Sequence, residues 1–461
     1  MGGSKSTRNQ YFAALSVNLI SVSFGANFGW VSTSIDQLMR PETSRLTSEI
    51  TNDGLGWLTS VMSIGGLLGS IVFSWLADRI GRRACFLFMG TLVAVNWLLI
   101  IFARNLVQLC VARVLAGAIG GGCFAVIPVY ITEMTEDRLR STLGTFMSLS
   151  MCIGLLVMHI LGYFLDYVTV AWIMLLIPSA FLCTFTFIPD TPEYLERYHK
   201  KGVENSLRYF RGISANENGQ LQAELTKLCK PFATLENGRD QSEDNKLHLN
   251  DFTNRKARKA FFIGFGIILA NQLTGCLTMA KYISVVFRDA GSSLSPIGSS
   301  IVVILIQLVG TYSATLFVER AGRKTLMLIS TAGICLGQVS MAFYYYMGQL
   351  NIDSRPFNWL PIASLSFIMF CSSIGLLAVD HIVISEITPP KIRSVIVRVH
   401  MVTMSAISIC LAKAFPHLSE SMGISGIVSM FAIFSFLLTI FIALYVPETK
   451  GKSIQEIQAS L

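Results

Sequence analysis

Charge is what this chain has least of. Only 14% of its 461 residues are Asp, Glu, Lys or Arg, against about 25% in an ordinary soluble domain. Too few charges remain to cover a water-facing surface. Chemistry-bearing motifs are also scarce. There is no G-x-x-x-x-G-K-[ST] phosphate loop, which argues against an ATP-driven pump. The ten cysteines are scattered through apolar stretches with no C-x-x-C, so they read as small buried hydrophobes. No Ser/His/Asp constellation and no metal-ligand spacing appear, so neither an enzyme nor a metal or other cofactor is expected.

What the chain has in abundance is apolar sequence: 52% of it is hydrophobic. Crossing a bilayer as a helix takes roughly 20 apolar residues. Twelve such runs occur, at about 12–33, 55–76, 84–103, 107–131, 141–164, 170–188, 259–287, 297–317, 326–347, 358–385, 395–415 and 424–446. The first run is too long for the apolar region of a signal peptide, so no cleavable leader is expected. Met1 to Ser6 matches the myristoylation pattern, but a lipid would add little to a chain held by twelve helices. The expectation is therefore an all-α, twelve-helix membrane protein whose immediate partner is the lipid bilayer.

The net charge of +8 could suggest nucleic acid, but its placement gives it another meaning. Arg79, Arg82, Arg83, Arg138, Arg140, the 197–259 stretch, Arg320, Arg323, Lys324, Lys391, Arg393, Arg398, Lys450 and Lys452 occupy the even-numbered loops and the C-terminus. The positive-inside rule makes those loops and both termini cytoplasmic. Nucleic acid is not expected as a partner, and oligomeric state is not legible.

The chain repeats itself. Asp78-Arg79-Ile80-Gly81-Arg82-Arg83 returns as Glu319-Arg320-Ala321-Gly322-Arg323-Lys324, 241 residues on. Glu133-Met134-Thr135 returns as Glu386-Ile387-Thr388, and Pro189-Asp190-Thr191 as Pro447-Glu448-Thr449. Order, spacing and helix position are all kept, as duplication with loop insertion would give. Six runs per copy leave both copies in the same orientation, a parallel repeat. The expected organisation is an N-terminal tail at 1–11, a six-helix bundle at 12–188, a cytoplasmic linker at 189–258, a second bundle at 259–446 and a C-terminal tail at 447–461. Within the linker, Thr191 and Pro192 read as a helix start, and Leu195, Tyr198, Val203, Leu207 and Phe210 as one short amphipathic helix. The polar stretch 236–245 reads as flexible.

Together these strings resemble the sugar porter branch of the major facilitator superfamily over about residues 10–455. Pro128 to Glu133 is similar to its P-x-Y-x-x-E, Pro189 to Leu195 to its P-E-S-P-R-x-L, and Pro447 to Gly451 to its P-E-T-K-G. The sequence around Gly29-Trp30 looks most like the insect facilitated trehalose and hexose transporter-like proteins. The resemblance implies alternating access for a sugar, with Asn27 of the first run, Asn271 and Gln272 of the seventh and Gln307 of the eighth among the cargo contacts. Asn27 stands where proton-coupled members carry Asp, which favours facilitative uniport. It also implies a cytoplasmic gate built from Arg82, Arg83, Arg113, Glu133, Arg140, Arg323, Glu386 and Arg393, whose exposed pairs would each contribute roughly 0–1 kcal/mol.

The cargo positions depart from the family. Ser148 stands for a Gln, Leu277 for an Asn, His381 for a Trp, and Met404 and Ser408 for Asn residues. Ionisable groups are the candidate replacements: Asp380 and His381, with Lys281, Lys413 and His159 also inside runs. Intramembrane charge is costly, so such groups should face a cavity or a partner. Lys281 and Asp380 fall about 10 Å apart in depth, too far for direct contact. Lys413 can snorkel, and His159 reads first as a packing residue. Two other readings stand beside the sugar: the same fold moving an anionic solute, or a non-transporting sensor. The short stretch after the last run counts against the sensor.

Overall fold

The computed structural model describes residues 2–40, 45–47, 50–197, 201–213, 219–226, 255–288, 295–350, 355–388, 393–450 and 456, with some side chains on those helices outside the description. Every regular element among them is helical. Eleven helices are long and apolar enough to cross a membrane. The last of these runs on through Gly423, whose φ of 69° and ψ of 171° break the helix, so it contains two crossings. The twelve spans form two six-helix bundles.

Spans 1–4 are Gly2–Met39, Asn52–Ile80, Arg82–Ile101 and Leu106–Met134. Span 5 is Asp137–Gly144 continued by Phe146–Phe164, and span 6 is Tyr167–Met174 continued by Leu176–Phe185. In the second half, span 7 is Arg255–Leu273, Cys276–Lys281 and Ile283–Arg288; span 8 is Pro296–Ala321; span 9 is Arg323–Gln349. Span 10 is Leu360–Ile374 with Leu376–Ile387, and the broken helix Arg393–Tyr445 supplies spans 11 and 12.

Helix starts are capped differently at the two ends of the bundle. At the end away from the arginine strings, each cap is local. Thr51, Asn105, Asp166 and Ser295 accept N–H groups of spans 2, 4, 6 and 8. The Thr169 hydroxyl and the first-turn N–H groups hold the Asp166 carboxyl below its usual range. At the basic end the caps are remote. Spans 2 and 3 turn at Gly81 (φ 104°), and Asp190, from the far end of the same half, accepts from the N–H groups of Arg82 and Arg83 at 3.0 and 3.2 Å. Spans 8 and 9 turn at Gly322 (φ 88°), and Glu448 accepts from Arg323 and Lys324 at 2.9 and 3.2 Å. A Cβ at Gly81 would lie 2.3 Å from the Asp190 carboxylate, and one at Gly322 2.7 Å from Glu448. The acid-Arg-x-Gly-basic and Pro-acid-Thr strings are thus two sides of one turn, made twice.

Within the first half, Gly65 and Gly117 let spans 2 and 4 touch backbone to backbone. A Cβ on either would sit about 2 Å from a carbonyl oxygen of the other span.

Two expectations need correction. Residues 2–11, expected as a tail ahead of the first bundle, extend span 1 as helix. Ser6 and Gln10 bond the Phe210 carbonyl of the linker at 3.0 Å each, and Asn9 bonds that of Tyr209 at 2.7 Å. The linker's amphipathic stretch is two helices, Pro192–Arg197 and Val203–Arg211, because the chain turns at Gly202 (φ 105°) between them. Leu207 and Phe210 are buried as the pattern requires. The polar stretch 236–245 lies outside the described residues.

Candidate functional site

Two helices of the second half are broken where polar side chains gather. Span 7 stops at Leu273 and restarts at Cys276 through Gly275 (φ 71°). The break frees the Thr274 carbonyl, and Gln338 of span 9 donates to it at 2.6 Å while accepting from Ser435 of span 12 at 2.7 Å. Span 10 breaks at Gly375. There Ser330 of span 9 donates to the Cys371 carbonyl at 2.7 Å and accepts the Leu376 N–H at 3.0 Å. Span 9 therefore satisfies both interruptions. Neither Gln338 nor Ser330 was expected from the sequence. A polar residue in the middle of an apolar run was the available signal.

Just before the span 7 break, Asn271 donates to Asp380 of span 10 at 2.6 Å and accepts from Gln272 at 3.0 Å. All three are buried. The intramembrane acid thus meets an amide, and Lys281 points elsewhere, as their depths require. Gln307 on span 8 is half-buried, and its side-chain amide has no partner among the described residues. On span 5, Ser148 is exposed one turn from Cys152, whose thiol meets the Thr311 hydroxyl of span 8 at 3.4 Å. His381 lies on a described helix with its side chain outside the description.

Asn27 is placed differently from the expectation. Its amide is spent inside the first half: it donates to the Ser23 carbonyl at 3.0 Å and accepts from Asn96 at 2.8 Å. Its carbonyl receives Arg113. Both of these side-chain bonds tie Asn27 to its own half. His159 bonds the Leu155 carbonyl at 2.9 Å and packs on Gly29 of span 1.

The two halves touch through small hydroxyls and a few charges. Ser32 of span 1 meets Ser284 of span 7, hydroxyl to hydroxyl, at 3.1 Å. Lys281 donates to Ser408 of span 11 at 3.0 Å and to Ser63 of span 2 at 3.3 Å, and those two serines are 3.1 Å apart. Lys413 lies 3.7 Å from Asp53 and 3.8 Å above the Trp57 ring, at the end of the bundle away from the arginine strings. It is a rim contact between halves rather than a cargo group.

At the basic end, the described ion pairs stay within one half. Arg82 is bidentate to Glu133 at 2.8 and 3.1 Å, both side chains are almost fully buried, and the Thr191 hydroxyl adds a third bond at 2.5 Å. Thr191 thus serves Glu133 rather than capping the following helix. The Tyr194 ring stacks on the Arg82 guanidinium. Arg83 donates to the Thr186 carbonyl. In the second half Arg323 and Glu386 are 3.8 Å apart and partly exposed. Among the described residues, the buried Thr449 hydroxyl, the counterpart of Thr191, and one Glu386 oxygen have no hydrogen-bond partner. The expected exposed pairs are therefore one buried bidentate pair and one longer, partly exposed pair. Arg140 and Arg393 lie on described helices, with their side chains outside the description.

A family model described as Sugar (and other) transporter matches residues 13–461. The chain belongs to that family. Among curated relatives of this sugar transporter family member, the facilitated trehalose transporter Tret1 of Bombyx mori is 28% identical over 458 residues, covering 98% of this chain and 86% of that protein. Tret1 of Culex quinquefasciatus is 28% identical over 459 residues, covering 99% and 86%. Among solved structures, the inward-open xylose transporter XylE from E. coli matches with a TM-score of 0.78 at 18% identity, covering 98% of this chain and 99% of that one. XylE bound to 6-bromo-6-deoxy-D-glucose matches with a TM-score of 0.74 at 20% identity, covering 99% of each. The fold is that of the major facilitator transporters.

A groove of about 650 Å³ between spans 8 and 10 has a different character. Its walls include Val302, Ile306, Trp359, Phe367 and Phe370, with Ser366 the one polar side chain. A sugar needs several hydroxyl partners, so this groove is not the cargo site.

Proposed function

We propose that this chain is a facilitative transporter that moves a sugar, of the hexose or trehalose class, across the plasma membrane by alternating access. It acts as a carrier and not as an enzyme. The observation that carries the reading is the buried amide and acid cluster of Asn271, Gln272 and Asp380 at the breaks of spans 7 and 10, in a chain of the sugar transporter family. Uncharged amides suit a solute made of hydroxyls. Discontinuous helices near mid-membrane are where carriers of this kind place their sites.

The conformation fits an inward-facing state. Hydroxyl and ion-pair contacts seal the halves towards the outer end, at Ser32–Ser284 and Asp53–Lys413. The described ion pairs of the basic end bind residues of one half only. With the basic end cytoplasmic by the positive-inside rule, both termini are cytoplasmic and the path opens inward. Within each half the arginine–acid pairs make a rigid inner rim, and the two rims part as the halves rock. Asn27 carries no titrating proton and its amide is already bonded, so no coupled proton passes there.

The test is uptake of radiolabelled trehalose and D-glucose by transport-null cells expressing the chain. Saturable uptake that survives a protonophore is expected. Surface expression without saturable uptake of any sugar would overturn the reading and favour a non-transporting role.

A further inference from the structure

Two buried cations converge on adjacent residues of span 2. Arg113 of span 4, 2% exposed, donates to Met62 Sδ at 2.9 Å and to the Asn27 carbonyl. Its Nε is buried without a partner. Lys281 of span 7, 8% exposed, donates to Ser63 and Ser408. Their contacts on span 2 are one residue apart.

Neither makes an ion pair with a carboxylate among the described residues. The contrast with Arg82 is instructive. Where this chain buries a charge for structure alone, it supplies a bidentate carboxylate. At Arg113 and Lys281 it supplies a carbonyl, a thioether and two hydroxyls. These satisfy hydrogen bonds but cancel no charge. Three acids of the spans are engaged elsewhere: Asp380 with Asn271, Asp53 with Lys413 and Glu133 with Arg82. An intramembrane charge without a counter-ion is expensive to keep. Lys281 stands at the seam, bonded to a serine of each half, and Arg113 reaches the neighbouring residue of span 2; two charges of one sign there call for an anion from solution.

We propose that the cargo is a sugar bearing an oxyanion group, carboxylate or phosphate, which lies between Arg113 and Lys281 while its hydroxyls meet Asn271, Gln272 and Gln307. The proposal rests on the sugar-transport reading and narrows it. Because each half contributes one cation, the anion binds best when the halves close around it. Charge then favours the occluded state that transport must pass through.

The experiment measures equilibrium binding of radiolabelled D-glucose, D-glucuronate and D-glucose 6-phosphate to the purified full chain in lipid nanodiscs. At least one anionic sugar should bind tenfold or more tightly than glucose, and the two anionic arms tell carboxylate from phosphate. The preference should weaken with rising salt. Lys281→Met should reduce it at least tenfold, and Lys281→Arg should restore most of it, with thermal unfolding confirming that both variants fold. If Lys281→Met does not fold, the wild-type preference and its salt dependence decide alone. Glucose binding as tightly as both anions would overturn the proposal and leave the sugar reading standing. An anion preference untouched in a folded Lys281→Met would also overturn it. Binding of none of the three would overturn both.

Discussion

Arg82 and Glu133 meet in a buried bidentate pair, and their counterparts Arg323 and Glu386 do not. The first pair closes at 2.8 Å with a threonine hydroxyl behind it, and the second stays at 3.8 Å. Removing one partner of a buried pair leaves an uncompensated charge and costs about 3–5 kcal/mol, whereas a partly exposed pair is worth about 0–1 kcal/mol. Glu133→Gln should therefore lower the thermal midpoint of the purified protein clearly and cut turnover, while Glu386→Gln should change the midpoint little. Equal losses in the two variants would show that the asymmetry has no energetic weight.

The basic-end turns make a prediction about backbone. Gly81 and Gly322 hold φ near 100° and 90° with a carboxylate where a Cβ would stand. Non-glycine residues in such conformations cost on the order of 1–3 kcal/mol before any clash. Gly81→Ala and Gly322→Ala should each reduce stability by at least that amount, measured by denaturation in detergent. A silent Gly81→Ala would contradict the Asp190 contact.

The capping acids predict opposite responses to pH. Burial dominates at Asp190 and raises its carboxyl above the ordinary 3.8, despite three backbone N–H bonds. A raised folded value means the native state binds the proton more readily, so acidification through that range does not weaken this cap's contribution. Glu448 is different: burial pushes its carboxyl up, but four backbone N–H groups outweigh it and hold it below the ordinary 4.5. Its stabilisation is full above 4.5 and is lost as pH falls through the depressed folded value. Glu448→Gln should flatten the acid limb of the stability curve, and Asp190→Asn should not. Melting temperatures between about pH 7 and 3 would check this.

Gln338 joins the broken span 7 to span 12 through Thr274 and Ser435. Gln338→Leu leaves the Thr274 carbonyl and the Ser435 hydroxyl without partners, at roughly 1–3 kcal/mol each. Loss of transport with a lowered melting temperature is expected. Full activity would mean the break needs no support from span 9.

Much of this architecture was legible in the chain. Low charge and twelve apolar runs gave the spans, and the paired strings gave the repeat and its orientation. The Pro-Asp-Thr and Pro-Glu-Thr ends were visible as motifs, but their job as remote caps for Arg82 and Arg323 was not. That contact joins residues 108 apart and depends on how six helices close. The cargo region was read less well. Asn27 was expected to face the solute, but the rotation of span 1 turns it to Asn96. A one-dimensional pattern does not record helix rotation. Lys281 was recognised as costly, yet its reach across the seam to Ser63 could not be read from either half alone.

Facilitated sugar movement is tested most directly in proteoliposomes. The purified chain is reconstituted at symmetrical pH, with the membrane potential clamped at zero, and offered trehalose, D-glucose, D-glucuronate and D-glucose 6-phosphate. At least one should enter saturably and stop when the inside and outside concentrations match, whether or not an inward proton gradient is imposed. Accumulation driven by that gradient, or no saturable entry of any of the four, would contradict it.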